Sequence, residues 1–368
     1  MREGVAVDGW LFFAVVALLA IGITMVLSTS YLYSQERFAD GTYLFRKQLV
    51  AVAVGMAALF IAALAPPSLY RRLAYPLLAL SLLLLILVLV PGIGLARGEA
   101  RRWLALAGFT FQPAELAKPS LVLYLACSLA KKGEKVKTFN LGVLPHLIVG
   151  AIFSGLVLLE SDLGTTLILG LVLFLILFVA GAKFTHLLSV GVMALGLTAI
   201  SVISADYRLR RLLTFLDPWG HASSGGFQII QSYIAFGSGE LWGRGLGEGR
   251  QKLFYLPEAH TDFVFSVIGE ELGLVGSLAV LALFGFVIFR GLRLAWRMEE
   301  PFGQYLAFGL TTLVGLQAII HMAVVMGLVP TKGLVLPFIS YGGSAMVMNL
   351  AVAGMLLNLS RRRKWRCD

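Results

Sequence analysis

The sequence predicts an all-α, polytopic integral membrane protein of about ten transmembrane helices, with one long extracytoplasmic loop between helices 7 and 8. Three observations carry this. The chain of 368 residues is 58% hydrophobic and only 14% charged, where a soluble domain carries about 25% charged residues. Apolar runs of roughly 17 to 25 residues, long enough to cross a bilayer as helices, recur from end to end with no polar linker between them. The basic residues gather in alternate short loops. Length alone would suggest two or three soluble domains, but the pattern predicts a single membrane domain over residues 1–368.

The spans are expected to start near Trp10, Gln48, Ala74, Pro113, Leu141, Gly164, His186, Asp262, Phe302 and Gly343. The first run, residues 10–28, is longer than a signal-peptide h-region and lacks a basic n-region and an Ala-x-Ala-like end, so it is expected to stay as a span. Arg71 and Arg72, the Lys131 to Lys137 cluster, Lys183, Arg290 to Arg297 and Arg361 to Arg366 then share one side. The positive-inside rule makes that side cytoplasmic, together with both termini. The long loop, about residues 206–261, lies outside, and a loop of that length is usually functional. With only Cys127 and Cys367, no disulfide framework is expected. The net charge of +10 sits in short loops between spans, which points to anionic membrane lipids rather than nucleic acid.

Basic residues are disfavoured in short outer loops, yet Arg97, Arg101, Arg102 and Lys118 fall at the outer boundary, with Arg208, Arg210, Arg211, Arg244, Arg250 and Lys252 in the long loop. They imply an anionic ligand; the alternative is arginine anchoring to lipid phosphates. In Gln112-Pro-Ala-Glu-Leu-Ala-Lys118 a proline in the first turn marks an outward-facing helix start, with Lys118 about one turn deeper. Lys118 either joins the free N–H groups of that start in a phosphate seat or pairs with Glu115 at i,i+3.

The stretch Leu256-Pro-Glu-Ala-His-Thr-Asp-Phe263 brings three ionisable groups to the outer start of the eighth span. Asp262 is the outstanding candidate for catalysis. A helix start favours its ionised form, which suits a proton acceptor or a divalent-cation ligand; the alternative is an ordinary cap. His260 has no second His or Cys at metal-ligand spacing, so no zinc site is expected. It reads as a hydrogen-bonding loop residue or a substrate contact. Continued as helix, the chain puts Glu270 within about 80° of the Asp262 face and Glu271 opposite. Both need partners in hydrocarbon, either across helices or at a site. Glu160 and Asp162 fall in the outer turn between spans five and six, as a solvated turn or a cavity wall. The glycines from Gly237 to Gly249 form neither G-x-G-x-x-G nor a P-loop. No nucleotide or organic cofactor is expected, and that loop could wrap a substrate. Pro330-Thr-Lys332 leads towards the last span from outside, placing Lys332 at the same face as a binding cation or an interface anchor.

The stretches Phe111-Gln-Pro-Ala-Glu-Leu-Ala-Lys118, Asp162-Leu-Gly-Thr-Thr166, Gly226-Phe-Gln-Ile-Ile-Gln-Ser232, Leu256 to Phe263, Glu270-Glu-Leu-Gly273 and Ser340-Tyr-Gly-Gly-Ser344 are similar, in this order over nearly the whole chain, to the motifs of the SEDS family (shape, elongation, division and sporulation). Phe215-Leu-Asp-Pro-Trp219 and Pro330-Thr-Lys-Gly-Leu-Val-Leu-Pro337 resemble its division branch more than its elongation branch. The chain departs from the family in carrying Ser161 where proline is usual.

The resemblance implies a peptidoglycan glycosyltransferase of the cytoplasmic (inner) membrane that polymerises lipid II on the outer face during septal wall synthesis and releases undecaprenyl diphosphate. It implies a class B penicillin-binding protein transpeptidase and other divisome membrane proteins as partners. Asp262 becomes the residue expected to be essential. Lys118, Glu115, Arg101, Arg102, Lys332, Glu270 and His260 are expected at the substrate site, with a divalent cation, Mg²⁺ or Mn²⁺, assisting at Asp262. Conversion of an α-linked diphosphosugar into a β-1,4 glycan inverts the anomeric centre, so one direct displacement suffices. The protein need only position two lipids, deprotonate the acceptor and neutralise the departing diphosphate. Two other classes stay open: a lipid flippase, its path lined by Glu270, Glu271 and Lys118, and a non-catalytic scaffold for a partner enzyme.

Overall fold

The computed structural model describes residues 7–97, 100–106, 109–203, 206–222 and 225–361. Among these, twelve α-helices follow in order: α1 (Gly9–Phe38), α2 (Tyr43–Leu64), α3 (Pro67–Leu89), α4 (Pro113–Lys132), α5 (Leu144–Leu159), α6 (Leu163–Val179), α7 (Phe184–Ile203), α8 (Asp206–Leu216), α9 (Phe227–Gly239), α10 (Val264–Arg297), α11 (Pro301–Val325) and α12 (Gly343–Ser360). Ten of them fall where spans are expected. Seven, counting α5 with the wide turn that begins at Phe139, are long and apolar enough to cross a membrane; α6 and the stretch Phe184–Gly196 of α7 are apolar but shorter. Large apolar side chains such as Ile61, Leu83 and Leu195 face outward, as the surface of a multi-pass membrane protein requires. α4 differs, carrying Glu115, Lys118, Lys131 and Lys132 but buried along most of its length. Protein, not lipid, surrounds it.

Two features correct the expectation of helices joined by loops. A three-stranded antiparallel sheet, β1 (Gly94–Arg97), β2 (Ala100–Leu106) and β3 (Phe109–Phe111), lies between α3 and α4, with Leu95 opposite Trp103 and Leu104 opposite Phe111. Strands of three to seven residues are too short for alternation to stand out in sequence. The stretch read as one long loop contains α8 and α9, and α9 is fixed by Ser232, whose hydroxyl donates to the Val325 carbonyl at 2.6 Å and lies 2.7 Å from the Ser266 hydroxyl.

Small residues set the closest helix approach. A Cβ on Gly354 of α12 would strike the Leu59 carbonyl of α2, and one on Gly55 would strike Leu350, the arrangement by which helices associate in lipid. Asn358 then donates to the carbonyls of Ala62, Ala63 and Ala65 at 3.1, 2.8 and 2.7 Å, near the end of α2 where helical carbonyls lack intrahelical donors; that of Ala62 also accepts from the Ala65 N–H and the Tyr70 hydroxyl. At that end of the bundle Asp8 also accepts from Arg290 Nε and Nη2 at 2.9 and 2.6 Å, and Arg71 pairs with Glu300. The opposite end gathers the starts of α4, α10 and α12.

Candidate active site at the shared start of α4, α10 and α12

Asp262 closes a turn rather than opening a helix. The Glu258 carbonyl accepts the N–H groups of Thr261, Asp262 and Phe263 at 3.1, 3.0 and 3.3 Å, and α10 begins only at Val264. The helical phase expected between Asp262 and Glu270 is therefore absent. This turn docks on the chain before α12: Tyr341 N–H donates to the His260 carbonyl at 2.9 Å, and the Ser340 hydroxyl to the Thr261 carbonyl at 2.7 Å. Gln48 of α2 braces the same stretch through the Ser340 carbonyl and the Gly342 N–H, at 3.3 and 3.2 Å. The half-buried Asp262 carboxylate lies against Gly333, where a Cβ would stand 3.0 Å from its Oδ2. Lys332, also half-buried, is the next residue back along the chain.

His260 is 7% exposed, its ring 4.9 Å from that of Tyr33 and 5.7 Å from that of Tyr341. Burial lowers its pKa, against the opposing pull of Glu258, so the ring is neutral at pH 7. Its ring packs in the turn against Tyr33 and Tyr341, the loop-residue alternative of the two sequence readings, and is not open to substrate in this conformation.

Gln112 N–H donates to the Ser344 hydroxyl at 3.1 Å, joining the starts of α4 and α12. One turn in, Lys118 donates to Glu115 at 2.8 Å, with both side chains buried and the second Glu115 oxygen without a hydrogen-bond partner. Of the two readings of Lys118, the structure shows the ion pair, and neither side chain is open to substrate in this conformation.

Arg101 on β2 is exposed. Arg102 is committed elsewhere, donating from Nε and Nη2 to the carbonyls of Glu160 and Ser161 at 3.0 and 2.6 Å; it clamps the α5–α6 turn. Ser161 has φ 63°, its N–H bonded to Leu158 and that of Asp162 to Val157, a left-handed helix ending that proline's fixed φ forbids. Asp162 caps α6 by accepting the Thr165 N–H and hydroxyl at 3.0 and 2.9 Å. Glu160 is fully buried with both carboxylate oxygens unpartnered. Burial first, and the Asp162 charge second, push its pKa up to about 9, with Arg102 acting in the opposite direction. Neither a solvated turn nor an open wall describes it: Glu160 is a neutral buried acid.

The glycine-rich stretch packs against α10. Gly273, at φ 67°, breaks that helix, and residues 240–245 enter the break. Glu270 Oε1 accepts the Arg250 N–H at 2.8 Å and Oε2 the Gln251 N–H at 3.1 Å. Glu271 accepts from Gly247 N–H, the Ser28 hydroxyl and Lys252 at 3.0, 2.7 and 2.7 Å. Glu270 is thus withdrawn from the expected substrate set, and Lys252 from the free outer cations. Arg244 Nε is bonded to the Ser238 carbonyl, whereas Arg210 and Arg250 are exposed. The side chains of Arg97, Arg208 and Arg211, and residues 362–368, lie outside the described residues.

Among the described residues no group of three His, Cys, Asp or Glu is placed to hold a metal. The donor set fits a hard cation held by one carboxylate and completed by water and substrate phosphate, as Mg²⁺ is, and it fits no all-protein cage. Sequence reasoning missed the roles of Gln48 and Tyr33, which depend on partners far away in the chain; Ser340 was singled out only as part of the Ser340-Tyr-Gly-Gly-Ser344 motif, and a glutamine at the start of an apolar run was the other signal.

The family model for the FtsW, RodA and SpoVE cell cycle proteins matches residues 9–365. The chain is 47% identical over 349 residues to a probable peptidoglycan glycosyltransferase FtsW of Geobacter sulfurreducens, covering 95% of this chain and 94% of the relative. It is 37% identical to the stage V sporulation protein E of Bacillus subtilis, covering 95% of each. Among solved structures, it is similar to a chain in a peptidoglycan synthase complex that coordinates polymerization and crosslinking (TM-score 0.79, 31% identity, 97% and 98% of the two chains). It is also similar to the rod shape determining protein RodA of Thermus thermophilus (TM-score 0.72, 31% identity, 98% and 99%).

Proposed function

The chain belongs to the FtsW, RodA and SpoVE family of cell cycle proteins and has the activity of a peptidoglycan glycosyltransferase; we propose that it polymerises lipid II into β-1,4-linked glycan with Asp262 as general base. The observation that carries this is the Asp262 carboxylate itself. It is a half-buried acid at the gathered starts of three helices, fixed by a turn that is bonded to the chain before α12 and pressed against Gly333 beside Lys332. A glycosyl acceptor needs such a base within hydrogen-bond reach.

The acceptor sugar hydroxyl attacks the anomeric carbon of the donor from the face opposite the diphosphate. The new glycosidic C–O bond forms as the anomeric C–O bond to phosphate breaks, the hydroxyl proton passes to Asp262, and the bonding pair leaves with undecaprenyl diphosphate. Lys332 and Arg101 are assigned the role of meeting that charge, as cations at the outer end of the bundle. A bound Mg²⁺ or Mn²⁺ would supply further charge neutralisation, with Asp262 as its protein ligand. Lys118 could join only by leaving Glu115.

The outer membrane face is assigned to the Asp262 end, because the opposite end carries Arg71 and Arg290 and the positive-inside rule makes that end cytoplasmic. The protein then sits in the inner membrane as one domain, with both termini inside. Similarity to a chain of a polymerising and crosslinking complex supports a class B penicillin-binding protein as partner, and similarity to FtsW relatives supports a place for both in the division machinery. A flippase would need open polar groups along the bundle, whereas Lys118, Glu270 and Glu271 are buried and paired. The test is glycan synthesis from lipid II by the purified protein, alone and with its partner. Product from wild type and at least about a hundredfold less from Asp262→Asn is expected. Near-wild-type synthesis by Asp262→Asn would overturn the assignment.

A further inference from the structure

A break inside a membrane helix exposes backbone groups that cost several kcal/mol each in hydrocarbon unless they find other partners. In α10 the break at Gly273 uncouples Leu274 and Val275 from the carbonyls of Glu270 and Glu271. The inserted loop replaces all four groups: Leu274 and Val275 donate to the carbonyls of Glu240 and Leu241 at 2.9 and 3.1 Å, and Arg244 and Gly245 donate to those of Glu270 and Glu271 at 3.0 Å each. The approach is so close that a Cβ on Gly243 would strike the Glu271 carbonyl, and one on Gly273 would strike Gly243.

From this insertion the chain runs to Arg250 and Gln251, on to Asp262, and back along α10 to Glu270. The bonds from the Arg250 and Gln251 amides to Glu270 close that path into a ring. Its far side is pinned by Tyr341 and Ser340. Glu271 holds the neighbouring limb through Gly247 and Lys252, and brings in α1 through Ser28.

We propose that Glu270 and Glu271 are positioning residues which lock the glycine-rich loop into the α10 break and so hold Asp262 in place for catalysis. The proposal rests on Asp262 being the base. Two adjacent buried carboxylates are an expensive way to stabilise a bundle, since apolar residues of similar volume do as well or better. What these carboxylates define is one loop geometry, and a misplacement of about 1 Å at a reacting group can cost roughly a hundredfold in rate.

The experiment compares wild type, Glu270→Gln and Asp262→Asn as full chains with the partner, measuring kcat and KM for lipid II and amide hydrogen exchange. Glu270→Gln replaces an acceptor with an amide donor at one of the two loop N–H groups. Its kcat is expected to fall about tenfold or more with KM held within about twofold, and exchange in residues 253–262 is expected to rise while α2 and α12 stay protected. An unchanged kcat, or an unchanged exchange rate in 253–262, overturns the proposal. If Asp262→Asn is inactive while Glu270→Gln behaves as wild type, the lock fails and the base assignment survives. If Asp262→Asn is active, the base assignment itself fails. Should Glu270→Gln not fold, Lys252→Met decides: a smaller kcat loss with a rise in exchange over residues 253–262, both restored by Lys252→Arg, supports the lock, and wild-type behaviour overturns it.

Discussion

Lys118 donates to Glu115 at 2.8 Å inside the protein, one turn from the start of α4, so that helix carries a buried ion pair into the bundle. Removing one member of such a pair strands the other charge. Lys118→Met should therefore lower the free energy of unfolding by about 3–5 kcal/mol, and the double change with Glu115→Gln should recover part of the loss. Thermal unfolding in detergent checks this. An unchanged midpoint with weaker lipid II binding would mean that the cation serves the substrate.

Glu160→Gln should stabilise the protein in a pH-dependent way. The carboxyl, raised to about 9 by burial, binds its proton more tightly folded than unfolded. Its contribution is fully present below the ordinary carboxyl range and is lost as pH rises towards 9. The variant should thus be more stable than wild type at pH 8, by about 4–5 kcal/mol, with a higher melting temperature, and match it near pH 4. A melting difference that is independent of pH would contradict the neutral buried acid.

Asn358→Leu should cost about 1–3 kcal/mol, since the Ala63 and Ala65 carbonyls near the end of α2 lose the Asn358 donor, while that of Ala62 keeps Tyr70 and the Ala65 N–H. Equal thermal stability of the variant and wild type would show that water replaces it.

The spans were legible because a bilayer imposes length and apolarity on each helix separately, and Asp262 stood out because three ionisable groups follow Pro257 just before an apolar run. Pairings between distant residues were not legible. Gly273 looks like any glycine in a membrane helix, and nothing local shows that residues 240–245 enter beside it. The depth of Glu160 is likewise set by its surroundings in the fold, including Arg102 over its turn, so charge alone left a solvated turn and a cavity wall open. Lys118 was legible as one of two alternatives, and only packing around α4 chose between them.

Metal assistance should appear as weak cation binding without substrate, because the described residues offer no three-ligand cage. Chelation should stop synthesis, and Mg²⁺ or Mn²⁺ should restore it in wild type but not in Asp262→Asn. Full activity after exhaustive chelation would leave Arg101 and Lys332 to meet the leaving group.

The central claim is tested most directly by glycan synthesis from lipid II by purified Asp262→Asn beside wild type, with thermal unfolding recorded on the same samples. Loss of a general base costs about 10²–10⁴ in rate, while a half-buried carboxylate replaced by its isosteric amide leaves the fold in place. The account predicts synthesis reduced by at least that lower factor, about a hundredfold, at an unchanged melting temperature. Near-wild-type polymer from a folded Asp262→Asn would contradict it.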